Sequence, residues 1–258
     1  METPNSSFLQ TSPKAWMWIL IGMLGQTPTS MAQVSAQEEP IVENTWHFKV
    51  TPSIYQTTHQ SNATDLNLRA NEEAHALWIG QYDQASVFHQ TRLGYEYTIN
   101  TDWGQVVPSV QAASGGFWGG SINAHWGKTT YVMTGWGRTN LRPYYNLNFD
   151  PNDAITLGLG GWVSTAHQWS VWRTQDDRLQ TGQRVTHLMW RYHLPNTQRL
   201  TVDAALKKGR SDPASDAIKG HSLSVAWDWP RYFVRFAMDR KVNFSDEDQK
   251  RISIGRHF

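Results

Sequence analysis

From Trp46 onward the apolar residues return at every second position, the period of an extended strand whose two faces differ, while helical spacing is nearly absent. Trp46, Phe48, Val50, Pro52 and Ile54 share one face; His47, Lys49, Thr51, Ser53 and Tyr55 share the other. The rhythm recurs with Leu93, Tyr95, Tyr97 and Ile99 opposite Gln90, Arg92, Glu96 and Thr98, and with Leu188, Trp190, Tyr192 and Leu194 opposite His187, Arg191 and His193. Further on, Leu200, Val202, Ala204 and Leu206 oppose Asp203 and Lys207, and Tyr232, Val234, Phe236 and Met238 oppose Arg235 and Asp239. Short turn signals at Pro195-Asn196-Thr197-Gln198, Trp229-Pro230 and Trp126-Gly127-Lys128 alternate with longer polar stretches at 139–152, 174–183, 209–219 and 242–249.

Alternation fits a soluble sheet as well as a membrane one, so the chemistry of each face decides. The polar face carries long charged side chains of both signs, and the apolar face carries large aromatics near the strand ends, the pattern of a lipid-facing band with interfacial girdles. A soluble barrel would turn its apolar face inward instead. The pattern therefore predicts an all-β, closed antiparallel transmembrane barrel over residues 46–258. It has about 12 strands, or 14 if residues 62–81 hold two strands rather than one.

Composition narrows the class. There are 0 Cys, which removes disulfides and thiolate chemistry, and a formal net charge of +1, which gives no field for nucleic acid. No cofactor motif is present, and no cofactor is expected. The 14 Trp have a natural use at a membrane interface. Ahead of the strands, Lys14 precedes an apolar run at residues 15–24, too short to span a bilayer as a helix and of the length of a signal-peptide core. Small-residue sites then predict cleavage after Ala32 or Ala36. This gives a signal peptide over 1–32, a polar segment over 33–45, and the barrel thereafter.

The chain ends Arg251-Ile252-Ser253-Ile254-Gly255-Arg256-His257-Phe258. This resembles the closing strand of bacterial outer-membrane β-barrel proteins, with Ile252, Ile254 and the terminal Phe258 at the apolar positions and Arg256 where an apolar or aromatic residue is usual. The resemblance names a class and no particular family. It implies residence in the outer membrane of a Gram-negative bacterium, contact with outer-membrane lipids and lipopolysaccharide, and recognition by the barrel-assembly machinery through the strand ending at Phe258.

Three groups of residues could carry chemistry. The first is an inward-facing set, Lys49, Arg92, Glu96, His187, Arg191, His193, Asp203, Lys207, Arg235 and Asp239, which would either line a selective path or pair across a plugged lumen. The second lies in the long loop, where Arg142, Tyr144, Tyr145, Asp150 and Asp153 could meet an external ligand, with oxygens suited to Ca²⁺ though in no defined motif. The third is Ser164 with His167, close together at a tight turn, the raw material of a hydrolase but in no recognisable motif. His187, Arg191 and His193 could also meet a metal if they converge; strand spacing explains them as well. The reading favoured by these features is a passive channel or structural envelope protein. Its alternatives are a lipid- or lipopolysaccharide-modifying enzyme and a soluble periplasmic ligand binder.

Overall fold

A computed structural model describes residues 46–258 apart from Ser86 and residues 146–149; the expected leader and the polar segment before Trp46 lie outside the described residues. The chain forms one antiparallel sheet. Its segments are β1 (His47–Thr57), β2 (Ala63–Glu72), β3 (His75–Gln84), β4 (Phe88–Tyr97) and β5 (Ile99–Thr101). They continue as β6 (Gly104–Ala113), β7 (Phe117–Gly127), β8 (Thr130–Thr139), β9 (Ala154–Trp162) and β10 (His167–Asp176). The last are β11 (Arg184–His193), β12 (Arg199–Gly209), β13 (Ile218–Asp228), β14 (Tyr232–Asp239) and β15 (Gln249–His257). Each pairs with its neighbours in sequence, except that β4 and β5 both pair with β6, and β1 pairs with β15 through Ile54↔Ile252 and Tyr55↔Arg251, which closes the wall. Closure satisfies every backbone group without water and leaves no edge.

Segments β4 and β5 both pair with β6 in one register, Glu96↔Ser109 and Ile99↔Val106, so they are two parts of a single strand broken at Thr98. The wall therefore has fourteen strands, not about 12. The difference lies where the sequence pattern was open: residues 62–81 contain β2 and most of β3, joined by a turn of only Glu73 and Ala74. Glu73 takes the left-handed conformation, φ 46°, that such a tight reversal needs.

Connections differ sharply between the two ends. At the end holding both described termini they are short: 73–74, 102–103, 128–129, 163–166, 194–198 and 229–231. At the other end they include 140–153, 177–183, 210–217 and 240–248, the arrangement of short periplasmic turns and longer outer loops. Among the described residues no helix is long and apolar enough to cross a membrane. A single 3-10 turn, Val242–Phe244, lays Phe244 against Val185 and Ala205.

The two faces separate as the strand period requires. Leu66, Ile79, Leu93, Leu157, Leu188, Leu206 and Ile254 stand exposed on the outer face, between half and three-quarters accessible. A water-soluble protein does not leave a continuous band of that kind, whereas a barrel in lipid needs one. At the short-turn end Trp103 stacks on Trp126 at 4.4 Å and Trp227 on Trp229 at 4.8 Å; Trp190, Tyr232 and Phe258 extend that aromatic girdle. On the loop side Trp118 and Trp136 are exposed outward. The inner face is polar but not uniformly so. Tyr131, Met133, Trp172 and Met189 form one buried cluster, and Tyr55, Ala63 and Tyr82 another, so aromatic and sulfur side chains fill part of the lumen.

Candidate functional site

The interior is built by the inward residue of each cross-strand row. One row runs Arg191, Thr201, Ala226, Arg235, Ser253, Ser53, Asp65, Tyr82 and Gln90. Apart from Arg235, its members from β12 through β1 are small. Long guanidinium groups can therefore extend over Ser253 and Ser53, whose hydroxyls share a hydrogen bond of 2.8 Å. The next row sets Phe233 over Gly255, where a side chain would collide with the ring. The Lys49 ammonium lies 4.0 Å from the centre of that same ring and Arg235 5.7 Å from it, both in cation–π geometry.

These residues border a lumen cavity of about 210 Å³. Five inward cations line it, Lys49, Arg69, Arg92, Arg235 and Arg251, against three carboxylates, Asp65, Glu96 and Asp150; Arg138, at its rim, lies over the outward Trp136 and is paired with Asp177. All three carboxylates are partnered: Arg69 donates to Glu96 at 2.7 Å, Arg92 donates to Asp65, and Asp150 lies 3.0 Å from His187 Nε2. Lys49 also faces Arg69, of like sign, directly across β1 and β2. The cavity is thus positively biased.

Of the ten residues singled out from the sequence, Lys49, Arg92, Glu96 and Arg235 line this cavity; the other six lie along other parts of the inner wall. His187 stacks on Trp172 at 4.4 Å and presents Nδ1 to Asp203 at 3.1 Å and Nε2 to Asp150 at 3.0 Å. Arg191 donates to Gln168 Oε1 at 3.1 Å, and His193 packs near Trp162 at 5.3 Å. Lys207 is paired with Asp239, both nearly inaccessible. His187, Arg191 and His193 are therefore held by separate neighbours, and among the described residues no cluster of His, Asp and Glu is arranged to hold a metal ion. Sequence reasoning passed over Asp65, Arg69, Arg199, Asp228 and Arg251. Arg199 pairs with Asp228 at 3.1 Å, and both could have been found by counting in twos from Thr201 and Ser224.

Of the five loop residues, Arg142, Tyr144, Asp150 and Asp153 line a common space at the loop end, and Tyr145 does not. Tyr144 and Tyr145 fold against the barrel interior. Tyr145 stacks on Tyr82 at 4.0 Å, its hydroxyl accepts from Gln249 Nε2 at 2.7 Å, and its backbone N–H donates to Gln90 Oε1 at 2.9 Å. Tyr144 stacks on Phe117 at 4.2 Å. Asp153, buried at the foot of the loop, accepts from Thr139 Oγ1 at 2.5 Å and from Arg178 at 2.8 Å. Arg142 stays exposed. A second space of about 460 Å³ opens on the loop side, and its lining shares Thr139, Tyr144, Asp150 and Asn152 with the lumen cavity. Tyr144, Asp150 and Asn152 therefore stand between an outer vestibule and the lumen.

At the other end, the Ser164 hydroxyl accepts from the backbone N–H groups of Ala166 and His167, both at 3.2 Å, which is turn-shaping work. The His167 ring lies on Tyr192 at 4.5 Å.

A closed fourteen-stranded barrel with an apolar outer band, a charged lumen and an infolded loop defines an architecture, that of the outer-membrane β-barrels. Among solved structures the fold is similar to the outer membrane protein Omp33 of Acinetobacter baumannii, with a TM-score of 0.56, 12% identity, 83% of this chain covered and 98% of that one. The KdgM porin, at TM-score 0.46, 10% identity and coverage of 81% and 99%, and OprD from Pseudomonas aeruginosa, at 0.41, 8%, 83% and 93%, are more distant. The fold likeness rests on the first of these. No family model matches the chain, and no curated relative matches it in sequence.

Proposed function

We propose that the protein is a channel of the bacterial outer membrane that passes small hydrophilic solutes and favours anions, with Tyr144, Tyr145, Asp150 and Asn152 at its constriction. The observation that carries this reading is the lumen cavity with five inward cations against three carboxylates, placed inside a barrel whose outside is apolar. Charges on a pore wall rank solutes by sign because a solute exchanges part of its hydration for contact with them. In this account the chain reaches the membrane after losing its leader at Ala32 or Ala36, and its last strand, ending at Phe258, is the segment read by the assembly machinery.

A second reading, a plugged structural barrel, is favoured by one specific observation: Tyr131, Met133, Trp172 and Met189 occupy lumen space beside the cavity. Swelling of proteoliposomes separates the two. The channel reading expects swelling in isotonic glucose and, once gramicidin lets sodium follow the anion, faster swelling in isotonic sodium gluconate of similar size. Vesicles that contain folded protein and do not swell in either would leave the structural reading.

A further inference from the structure

Outside the barrel, at the loop end, three cations from three adjacent strands stand side by side. Arg184 of β11 pairs with Lys208 of β12, and Lys208 with Lys219 of β13, all pointing away from the lumen and all exposed. With strands about 4.8 Å apart, the three backbone positions fall within about 10 Å of one another. Like charges directly opposite on a sheet repel. Among the described residues none of the three belongs to an ion pair, although carboxylates elsewhere at this end are engaged, as Asp177 is by Arg138 and Asp248 by Arg240.

The rows beneath identify the surroundings. One step toward the middle of the wall, Thr186, Leu206 and His221 form the next row, and Leu206 is 71% exposed; two steps down come Leu188, Ala204 and Leu223. Arg173 of β10 donates to Thr186 Oγ1 at 2.9 Å, adding a fourth exposed cation at the same border. The cations thus cap the apolar band at the depth where the charged groups of lipid headgroups lie. The belt is one-sided, since the corresponding part of β2 to β4 presents Thr64 and the mutually paired Asp83 and His89.

We propose that Arg184, Lys208 and Lys219 form a binding site for the phosphate groups of an outer-leaflet lipid headgroup. The guanidinium fork and two ammonium groups supply donors and charge for phosphate oxygens, and Leu206, Leu188 and Leu223 lie below them for the attached acyl chains. Bound phosphate removes the repulsion within the row. The site rests on the outer-membrane placement proposed above, with the long loops outward.

The test uses the full mature barrel refolded in phosphatidylcholine vesicles, with lipopolysaccharide as the probe. Two readouts are taken: the temperature at which heat-modifiable migration is lost, and the number of lipopolysaccharide molecules retained on native mass spectrometry. Lipopolysaccharide should raise the transition temperature of the wild type and co-purify with it. R184Q/K208Q/K219Q should lose both effects, and the charge-keeping R184K/K208R/K219R should retain them. Chemically dephosphorylated lipopolysaccharide should act weakly, and inorganic phosphate alone should not reproduce the rise. Equal retention by the neutral triple variant, or an equal response to the dephosphorylated probe, overturns the site; a full response to inorganic phosphate overturns its assignment to a lipid. Wild type that fails to insert into phosphatidylcholine at all sinks the membrane placement, whereas insertion without any lipopolysaccharide response sinks only the phosphate site.

Discussion

Tyr145 is the point at which the constriction loop is fastened to the wall, and removing its side chain should loosen the loop without unfolding the barrel. Its ring is stacked 4.0 Å from that of Tyr82 and lies 6.0 Å from that of Phe88, and its hydroxyl accepts the Gln249 amide at 2.7 Å. An aromatic pair of this kind contributes about 1 kcal/mol beyond its burial. The hydrogen bond contributes about 1 kcal/mol more. Gln249 keeps its second partner, Thr57 Oγ1 at 3.0 Å, so no buried amide is stranded. Tyr145→Ala should therefore weaken docking by about 2 kcal/mol, a rise of about thirtyfold in the undocked population. Tyr145→Phe loses only the hydroxyl, which corresponds to about fivefold. Single-channel recording reads both, as larger mean conductance and more frequent excursions in the order Ala, Phe, wild type. Folded Tyr145→Ala protein with wild-type conductance and noise would show that the loop does not limit the path.

Other consequences follow from the same geometry. Arg235→Gln should shift the zero-current potential in a KCl gradient toward cations, and Arg191→Gln, which lies outside the cavity lining, should shift it less. Asp239→Ala leaves the Lys207 ammonium buried and should destabilise the barrel by about 3 to 5 kcal/mol, while replacing both by apolar residues of similar size should cost far less; urea titration followed by heat-modifiable migration compares them. Asp248, on the loop after β14, is held below the usual carboxylate range by the Arg240 guanidinium and by the Lys241 backbone N–H. A depressed pKa means its contribution is present above the unfolded value, 3.8, and is lost as pH falls through the folded one. Proteolysis of that loop should rise below about pH 4 in the wild type and be less pH-dependent in Arg240→Gln, a small effect because the pair is largely exposed.

The wall was legible in the chain because one side of it is lipid. Leu188, Trp190 and Tyr192 must alternate with His187, Arg191 and His193, and that contrast survives without any knowledge of the partner strands. The β2–β3 hairpin was harder to read, since Ala76, Trp78 and Tyr82 point inward while Leu77 and Ile79 point outward, leaving both faces of β3 apolar. With a turn of only two residues the strand count was short. The inward cluster of Tyr131, Met133, Trp172 and Met189 was hidden for a related reason: each sits at an inward parity where polarity was expected. The infolding of Tyr144 and Tyr145 depends on Phe117, Tyr82 and Gln249, distant in sequence, and no local pattern announces it.

The central claim is that this barrel conducts. Wild-type protein, refolded and inserted into a planar bilayer with its heat-modifiable migration verified, should produce discrete ohmic current steps with a preference for chloride over potassium. A silent bilayer, with insertion confirmed, would contradict the channel and leave a closed structural barrel.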